Sequence, residues 1–562
     1  MQGLGVSAGI SIGKAVVVKD HAMAATGILL ENEDDMTREI QKYREAVSLS
    51  IGELQLVIAG AGDLEVDILE THVELLRDPQ MESDVVQKIR TEKKNARDAV
   101  LEVIDAFAQV FINMNDDYLR ERAADVQDVG KRILRNLHPA IPPSGATPSL
   151  EGTTSGKDSS PATFILVADD LSPSDTIAMD TSRVIGFVTR LGGATSHAAI
   201  IARSRAIPAV VGCANALAEI NDGDMLILDG QSGLVLINPG ADITAAYLAK
   251  RTEFIEKVSL LKSEKDTPAA TTDGMRIKLL ANIATVADLE SALQHGAEGV
   301  GLLRTELVFM QRESFPSEDE QFVFYRNIAL RSGGLPVTIR TLDIGGDKPL
   351  PYFRLPEEQN PFLGYRAIRI CLDRQDIFLT QLKAILRASV FGKLKILFPM
   401  ISNVQEIRSA NAILARAKNE LLQEQISFDK DISAGIMIEI PSAAIMADLL
   451  AKETDFFSIG TNDLCQYTLA VDRMNEKIKE LYDPFNPAVL RLIQHTIVQA
   501  HRHNIPVSLC GELAADPRAT LLLIGMGLEE FSMNPPSIPA IKNIILHTSR
   551  AAAVEACKQM ME

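Results

Sequence analysis

Residues 277–304 read IKLLANIATVADLESALQHGAEGVGLLR, which is an apolar strand-like run, a helical pattern and a second strand-like run. Roughly eight such runs recur through the rest of the chain, beginning at Ile277, Val300, Val337, Leu394, Gly435, Phe456, Pro506 and Glu530. Strands that alternate with helices over this length predict a parallel (β/α)8 barrel, the TIM-barrel fold.

Polar and charged side chains come directly after most of these runs. They are Asn282, Arg304, Arg340 with Asp343, Glu439, Asn462 with Asp463, and Cys510 with Glu512. The carboxyl-terminal ends of barrel strands meet at one mouth, and barrel enzymes place their chemistry there. One such residue would mean little, but a ring of them predicts an active site.

Four arginines are expected near this mouth: Arg304, Arg340, Arg366 and, after Asn462-Asp463, Arg473. A guanidinium group can bind a phosphate or a carboxylate through two hydrogen bonds. Each arginine taken alone is more often one half of a surface ion pair. Together they predict a small, strongly anionic substrate.

Two carboxylates and one cysteine complete the predicted site. Glu439 and Asp463 offer hard oxygen ligands, and Mg²⁺ commonly takes one or two carboxylates together with substrate oxygens. Cys510 ends a strand-like run beside Gly511-Glu512, so it is either an inert core cysteine or a general acid at the barrel mouth.

A second candidate site lies earlier in the chain, where residues 192–203 read GGATSHAAIIAR. The glycine pair permits a tight turn, Thr195 and Ser196 offer N-cap hydroxyls, and the Ala/Ile-rich run predicts a helix. His197 would then lie at the positive end of this helix, which favours a neutral, nucleophilic imidazole and attracts a phosphoryl group. We therefore hypothesise that His197 carries a phosphoryl group covalently. The alternative is an ordinary helix cap or a surface histidine.

The segments before the barrel differ in character. Residues 30–137 show helical spacing and predict an antiparallel bundle of four or five helices. Residues 138–162 are rich in Pro, Gly, Ser and Thr and predict a flexible connection. Residues 163–240 alternate strands and helices, and residues 1–20 are expected to add a strand to that sheet. A helical linker is expected over 241–271. The fold class is therefore multidomain α/β.

The stretch 119–132 in the predicted bundle is dense in charge. A run of this kind is usually the solvated face of a helix. The alternative is a surface on which a partner docks.

The totals limit the classes of function. The 562 residues carry a formal net charge of -19, which argues against nucleic acid and against an anionic membrane surface as partners. The five cysteines are widely spaced without a C-x-x-C pair, which is typical of a reducing cytoplasm. No apolar stretch reaches membrane-spanning length.

Several longer motifs carry a resemblance. They are GATSH (193–197), IARS (201–204), AADV (123–126), EGVGLLRTE (298–306), DIGGDK (343–348), NPFLGYR (360–366), FSIGTNDL (457–464) and CGELA (510–514). With them the chain resembles, over nearly its whole length, enzyme I of the bacterial phosphoenolpyruvate:sugar phosphotransferase system.

The resemblance implies a four-part organisation. Residues 1–28 and 140–240 would form a swivelling phosphohistidine α/β domain, into which the helical bundle 29–139 is inserted. The bundle would dock the phosphocarrier protein HPr. After the linker 241–271, the barrel 272–562 would bind phosphoenolpyruvate (PEP) and form a homodimer.

The resemblance also implies residue roles. His197 would be the phosphorylated histidine and Thr176 its hydrogen-bond partner, while Cys510 would protonate enolpyruvate at its methylene carbon. Glu439 and Asp463 would hold Mg²⁺. PEP would be bound by Arg304, Arg340, Arg366, Asn462, Asp463 and Arg473.

The sequence departs from the family pattern at two places. Ala194 stands where the family commonly has an arginine before Thr-Ser-His, which puts phosphate stabilisation and pairing with HPr in question. Residues 142–160 form a longer linker than is usual.

Three other classes of protein compete with this interpretation. A pyruvate, phosphate dikinase or PEP synthase shares the histidine domain and the barrel but needs a nucleotide-binding domain, for which no stretch is found. A nitrogen-branch paralogue usually begins with an extra sensory domain. A regulatory scaffold that binds without catalysis would have no use for His197, Cys510 and the carboxylates Glu439 and Asp463 together.

Overall fold

The computed structural model describes residues 1–18, 27, 29–58, 63–112, 117–137, 163–171, 179–180, 182–193, 196–205, 207–310, 312–346, 350, 352–356, 358–475 and 477–561. The chain forms two compact units, Met1–Val258 and Ser259–Glu562. We describe each unit by itself.

The first unit contains a seven-stranded mixed sheet. Its strands are β1 (Leu4–Ser7), β2 (Ile10–Val18), β3 (Phe164–Ala168), β4 (Val184–Thr189), β5 (Ala209–Val211), β6 (Met225–Asp229) and β7 (Leu234–Ile237), in the order β1-β5-β4-β3-β2-β6-β7. The predicted α/β region and the contribution of residues 1–20 are confirmed. The N-terminal β2 is an inner strand, because it pairs parallel to β3 and antiparallel to β6.

Short helices His197–Ser204 and Ala216–Glu219 accompany this sheet, and the helix Ala241–Ser263 follows it. The last of these confirms the helical character of the predicted linker. Strand β3 is buried at all five positions, as its continuous apolar sequence FILVA requires.

The predicted bundle is confirmed as five helices within the described residues: α1 (Glu33–Ile58), α2 (Asp63–Leu76), α3 (Pro79–Thr91), α4 (Ala96–Ile112) and α5 (Asp117–Leu137). Helix α3 shows how the sequence sets a boundary. Asp78 caps it by accepting a hydrogen bond from the Gln80 amide at 2.7 Å, and Pro79 occupies the first turn.

The charged stretch 119–132 is not simply a solvated face. Asp125, Asp128 and Arg132 are buried, so the expectation of a solvated face is wrong for these three residues. For the two aspartates the cause lies on α2, where the ring nitrogens of His72 lie 3.2 Å from Asp125 Oδ1 and 3.4 Å from Asp128 Oδ2. They are tolerated in the interior because this partner is buried with them. Arg132 forms an ion pair with Glu53 of α1 at 2.6 Å.

The second unit is a closed parallel barrel, as predicted. Its eight strands are β8 (Lys278–Ile283), β9 (Val300–Leu303), β10 (Val337–Arg340), β11 (Leu394–Phe398), β12 (Ala434–Ile438), β13 (Phe457–Ile459), β14 (Val507–Leu509) and β15 (Glu530–Met533), and β15 pairs back onto β8. Side chains are buried on both faces of such strands, which explains why their sequences read as apolar runs and not as alternations.

Helices surround the barrel. They are Val286–Gln294, Glu306–Met310, Glu318–Arg331, Ile368–Asp373, Gln375–Ala388, Val404–Gln423, Pro441–Ile445, Ala447–Leu450, Thr461–Leu469, Pro487–Arg502, Pro517–Gly525, Ile538–Leu546 and Arg550–Met561. Single 3₁₀ turns lie at Pro361–Leu363, Ser389–Phe391, Lys479–Leu481, Glu512–Ala515 and Pro535–Ser537. Capping boxes start two of the helices, at Thr285 with Asp288 and at Ser317 with Glu320.

Membrane-spanning character is absent from the helices that the structure describes, since none is long and apolar enough to cross a bilayer.

Two helical glycines in the bundle predict opposite effects of the same substitution. A Cβ at Gly130 would lie 2.6 Å from Ile104 Cγ2 and force α4 and α5 apart, whereas a Cβ at Gly52 would meet no atom within 4 Å. We expect G130A to cost about 1 kcal/mol net of the gain in helix propensity, and G52A to stabilise by about 1 kcal/mol. Calorimetric melting of the full chain measures both. A G130A protein as stable as G52A would contradict this packing.

Candidate active site

One cavity of about 410 Å³ opens at the carboxyl-terminal ends of the barrel strands. Nearly all residues predicted for the barrel mouth line it, among them Arg304, Arg340, Arg366, Glu439, Asn462, Asp463, Arg473 and Cys510. Asn282 is the exception, because it does not line the cavity and its side chain instead donates to the Cys510 carbonyl. The lining residues come from strand ends and connections that are far apart in sequence. The barrel therefore brings the predicted residues together in one place.

The carboxylate of Asp343 lies between two of the arginines. Its Oδ2 is 3.0 Å from Arg340 Nη1, and its Oδ1 is 2.9 Å from Arg366 Nη2. All three side chains are buried. Each oxygen of one carboxylate thus holds one guanidinium group, which fixes the spacing between the two cations.

Further contacts hold both guanidinium groups in place. Arg340 Nη2 forms an ion pair with Glu306, which is also buried. Arg366 Nη2 lies 3.6 Å from Asp463 Oδ2, and Arg366 Nη1 donates to the hydroxyl of Tyr467 at 3.1 Å. That hydroxyl in turn donates to the Phe362 carbonyl oxygen at 2.6 Å.

These carboxylates keep the two arginines charged. Burial alone would lower the pKa of each guanidinium group, but Glu306 and Asp343 raise the pKa of Arg340, and Asp343 and Asp463 raise that of Arg366. The Nε atoms of both arginines are buried without a hydrogen-bond partner among the described residues. The cavity thus has two fixed cations with unused donor capacity.

Glu439 and Asp463 provide the carboxylate side of the cavity. Glu439 Oε1 accepts a hydrogen bond from the Met400 amide at 2.6 Å, and a Cβ at Gly460 would lie 2.8 Å from Glu439 Oε2. Burial, with the nearby carboxylates of Asp463 and Asp343, raises the pKa of Glu439 well above its ordinary value. A divalent cation bound beside Glu439 would favour the ionised form of its carboxyl group.

This pair of carboxylates fits a metal that also uses other ligands. In the part of the chain that the structure describes, no group of three or more His, Cys, Asp or Glu side chains is arranged to hold a metal ion. Mg²⁺ does not need such a group, because it takes one or two carboxylates and completes its shell with water and substrate oxygens. Glu439 and Asp463 satisfy that requirement.

Asn462 is held by a reciprocal pair of hydrogen bonds with Glu512. Its Nδ2 donates to Glu512 Oε1 at 2.9 Å, and the Glu512 amide donates to Asn462 Oδ1 at 3.0 Å. Arg473 is more loosely placed, with Nη1 4.0 Å from Asp463 Oδ1. These contacts join the connections that follow β13 and β14.

The Cys510 thiol is a buried, neutral group in the cavity wall. Burial raises its pKa above the ordinary value, and the Ser458 hydroxyl partly opposes this by donating a hydrogen bond to Sγ at 3.2 Å. The backbone is fixed as well, because the Cys510 amide donates to the Ile459 carbonyl at 3.0 Å and Asn282 Nδ2 donates to the Cys510 carbonyl at 2.9 Å. A protonated thiol near neutral pH can act as an acid.

The turn predicted before His197 and the helix predicted to begin near it are confirmed in part. Gly192 has φ +107°, and Ser196 caps the helix by accepting from the Ala199 amide at 3.4 Å. The helix begins at His197. The His197 side chain lies outside the described residues, as do Thr176, Ala194, Thr195 and the segment 142–160.

Four residues around the arginines and the thiol were not predicted as site residues: Glu306, Asp343, Tyr467 and Ser458. Asp343 was recognised only as polar at a strand end, and Glu306 only within the EGVGLLRTE motif. Ser458 was likewise recognised only within the FSIGTNDL motif. Tyr467 carries no signal of this kind, because a tyrosine in a helix is an ordinary residue. A mouth with this set of groups can bind a small anion, hold a divalent cation and donate one proton.

Comparison with known families covers nearly the whole chain. Residues 258–550 match the family model described as PEP-utilising enzyme, PEP-binding domain. Residues 161–233 match PEP-utilising enzyme, mobile domain, and residues 2–122 match PEP-utilising enzyme, N-terminal.

Curated relatives agree with this result. Proteins named phosphoenolpyruvate-protein phosphotransferase are 45% identical in Bacillus sp. (strain S), 44% in Priestia megaterium and 43% in Bacillus subtilis (strain 168). These alignments cover 96%, 98% and 98% of this chain, and 91%, 94% and 95% of the respective relatives. The chain belongs to the PEP-utilising enzymes and, within them, to the family of phosphoenolpyruvate-protein phosphotransferases.

Proposed function

We propose that this chain takes the phosphoryl group of PEP onto His197 and passes it to a histidine of HPr, releasing pyruvate in the first step of sugar phosphotransfer. The observation that carries the proposal is the barrel-mouth cavity, in which four arginines, the carboxylates of Glu439 and Asp463 and a buried thiol meet. PEP combines a phosphate and a carboxylate on three carbons, and it matches this set of groups.

The arginines bind and orient the substrate. Asp343 holds Arg340 and Arg366 at a fixed separation, so both present charged hydrogen-bond donors to the substrate. The same cavity is also lined by Arg304, Arg473 and Asn462. Phosphoryl transfer depends mainly on positioning and on neutralising oxygen charge. Donors that are fixed before the substrate arrives need no reorganisation during the reaction.

Glu439 and Asp463 would hold Mg²⁺. Asp463 would also contact the substrate, because it lies 3.6 Å from Arg366. When bound, the cation would neutralise charge on the phosphoryl oxygens. The burial of Glu439 near the carboxylates of Asp463 and Asp343 supports this assignment, because a bound cation would stabilise its ionised form.

Cys510 supplies the proton that completes the reaction. Loss of the phosphoryl group leaves the enolate of pyruvate, whose C3 carbon must gain a proton to give the keto form. The buried thiol carries a proton on Sγ in the cavity wall, where it can act as the acid that protonates this carbon.

His197 carries the phosphoryl group between two partners. Its place at the start of a helix suits a neutral imidazole and a bound phosphoryl group. Thr176 would orient the ring. The proposal divides the chain into the phosphohistidine domain (1–28 and 140–240), the bundle (29–139), the linker (241–271) and the barrel (272–562). Connections on both sides of the phosphohistidine domain would let His197 reach each partner in turn.

HPr is the proposed acceptor, docked by the helical bundle in the cytoplasm. The net charge of -19 favours a carrier with a basic face. The buried contacts of the His72 ring nitrogens with Asp125 and Asp128 would keep α2 and α5 in a fixed relation beneath that docking surface.

A homodimer through the barrel is supported by exposed apolar side chains. Leu363, Ile445, Met474 and Leu481 are exposed on connections that follow β10, β12 and β13. A second cavity of about 490 Å³ lies among the same connections, lined by Leu363, Ile440 and Val471. Concentrated apolar surface of this kind marks a protein interface.

Labelled PEP tests the proposed function. With Mg²⁺ and no nucleotide, we expect the wild-type protein to take up an acid-labile phosphoryl label, because a phosphorus–nitrogen bond hydrolyses in acid. H197A should take up none. Absence of label on the wild type, or label on H197A, would contradict the proposal.

Substitution of Cys510 separates the two half-reactions. C510A should lose PEP turnover by about a hundredfold or more, because the enolate lacks its acid. It should still accept a phosphoryl group from phosphorylated HPr, since that transfer does not use the barrel mouth. Loss of both half-reactions would mean that Cys510 is structural.

A further inference from the structure

A buried serine contacts the thiol that the mechanism uses. Ser458 lies in the middle of β13, is fully buried, and pairs in register with Ser508 of β14. Its hydroxyl donates to Cys510 Sγ at 3.2 Å. In the described part of the chain, no other side chain or carbonyl forms a hydrogen bond with the Ser458 hydroxyl.

The packing around Ser458 does not explain why a hydroxyl group is buried there. Ser458 lies between Phe457 and Ile459, which are both fully buried, and Cys510 belongs to a buried apolar cluster with Leu302, Leu397, Met437 and Phe456. Burying a hydroxyl costs free energy that only a good partner offsets. A neutral thiol is a weak acceptor, so the pair contributes little to the stability of the barrel.

The value of the contact changes when the thiol loses its proton. A thiolate is an anion, and hydrogen bonds to ionised acceptors are about twice as strong as those between neutral groups. The donor is already in place at 3.2 Å, and Ser458 itself is fully buried. An interaction that strengthens only as charge develops accelerates a reaction, whereas one of constant strength does not.

We propose that Ser458 is a positioning residue for protonation of enolpyruvate: its hydroxyl aims Cys510 Sγ and stabilises the sulfur as the thiol gives up its proton. This inference rests on the proposed role of Cys510 as the acid.

The step balances without a further reactant besides water. The S–H bond of Cys510 breaks, and its proton forms the new C–H bond at C3 with the electron pair of the enolate. The electron pair of the S–H bond stays on sulfur, where the Ser458 O–H donates to it. Water returns a proton to the thiolate before the next turnover.

Other contacts hold the Cys510 backbone independently of Ser458. The Cys510 amide donates to the Ile459 carbonyl, and the side chain of Asn282 donates to the Cys510 carbonyl. Removing the Ser458 hydroxyl therefore leaves the backbone of the thiol supported and changes the sulfur environment alone.

The test compares S458A with a matched control on the next strand. Ser508 is also buried, and its hydroxyl lies 3.4 Å from the Phe457 carbonyl and not beside the thiol. We expect S458A to lower kcat for PEP-dependent phosphorylation of HPr by about tenfold to a hundredfold, the loss of one hydrogen bond to an anion. The KM for PEP should stay unchanged in S458A, and both constants should stay unchanged in S508A.

Two further variants isolate the donor. S458T keeps the hydroxyl and should restore most of kcat. If S458A does not fold, as judged by its melting temperature, S458C takes its place, because it keeps a side chain of similar size with only a weak donor. Transfer from phosphorylated HPr to His197 should be unchanged in every Ser458 variant.

The inference is overturned if kcat of S458A matches that of S508A, if S458T does not restore the lost rate, or if the loss appears in KM alone. The C510A variant distinguishes a failure of this inference from a failure of the proposed function. Normal PEP turnover in C510A would show that Cys510 is not the acid. An inactive C510A together with a fully active S458A would contradict only the role of Ser458.

Discussion

The rest of the active site depends on one buried carboxylate. Asp343 holds Arg340 and Arg366 at 3.0 Å and 2.9 Å, and neither cation could remain in the barrel mouth without such a partner, since an unpaired buried charge is strongly destabilising. Each guanidinium group is held from a second side, by Glu306 and by Tyr467. The cost of fixing two cations at a short spacing is met during folding, so an anion that enters finds its donors already oriented.

The same burial favours the neutral form of each ionisable group around this pair. It keeps the Cys510 thiol protonated and raises the pKa of Glu439, while the carboxylates keep the arginines charged. One small cavity can therefore hold permanent cations, the carboxyl group that we propose as a metal ligand, and a neutral acid together. These are the groups that binding of PEP, neutralisation of its charge and protonation of its product require.

The barrel could be predicted strand by strand, because strands buried on both faces leave continuous apolar runs and their polar ends share one mouth. The contacts within the mouth could not, since they depend on how connections fold. Tyr467 meets Phe362 across 105 residues, and Asn282 meets Cys510 across 228. Asp125 shows the same limit in the bundle: its charge suggested solvent, but its partner His72 lies 53 residues earlier. The assignment of His197 rests on local sequence and resemblance alone.

We propose that the barrel mouth is a preformed site for PEP and its cation. A crystal structure of the full chain with Mn²⁺ and an unreactive PEP analogue, phosphoglycolate, tests it most directly. We expect an anomalous peak for Mn²⁺ between Glu439 and Asp463, phosphate oxygens bound by Arg340 and Arg366, and an Asp343 carboxylate that keeps both of its present contacts. A metal held elsewhere, or an analogue bound away from these arginines, would contradict it.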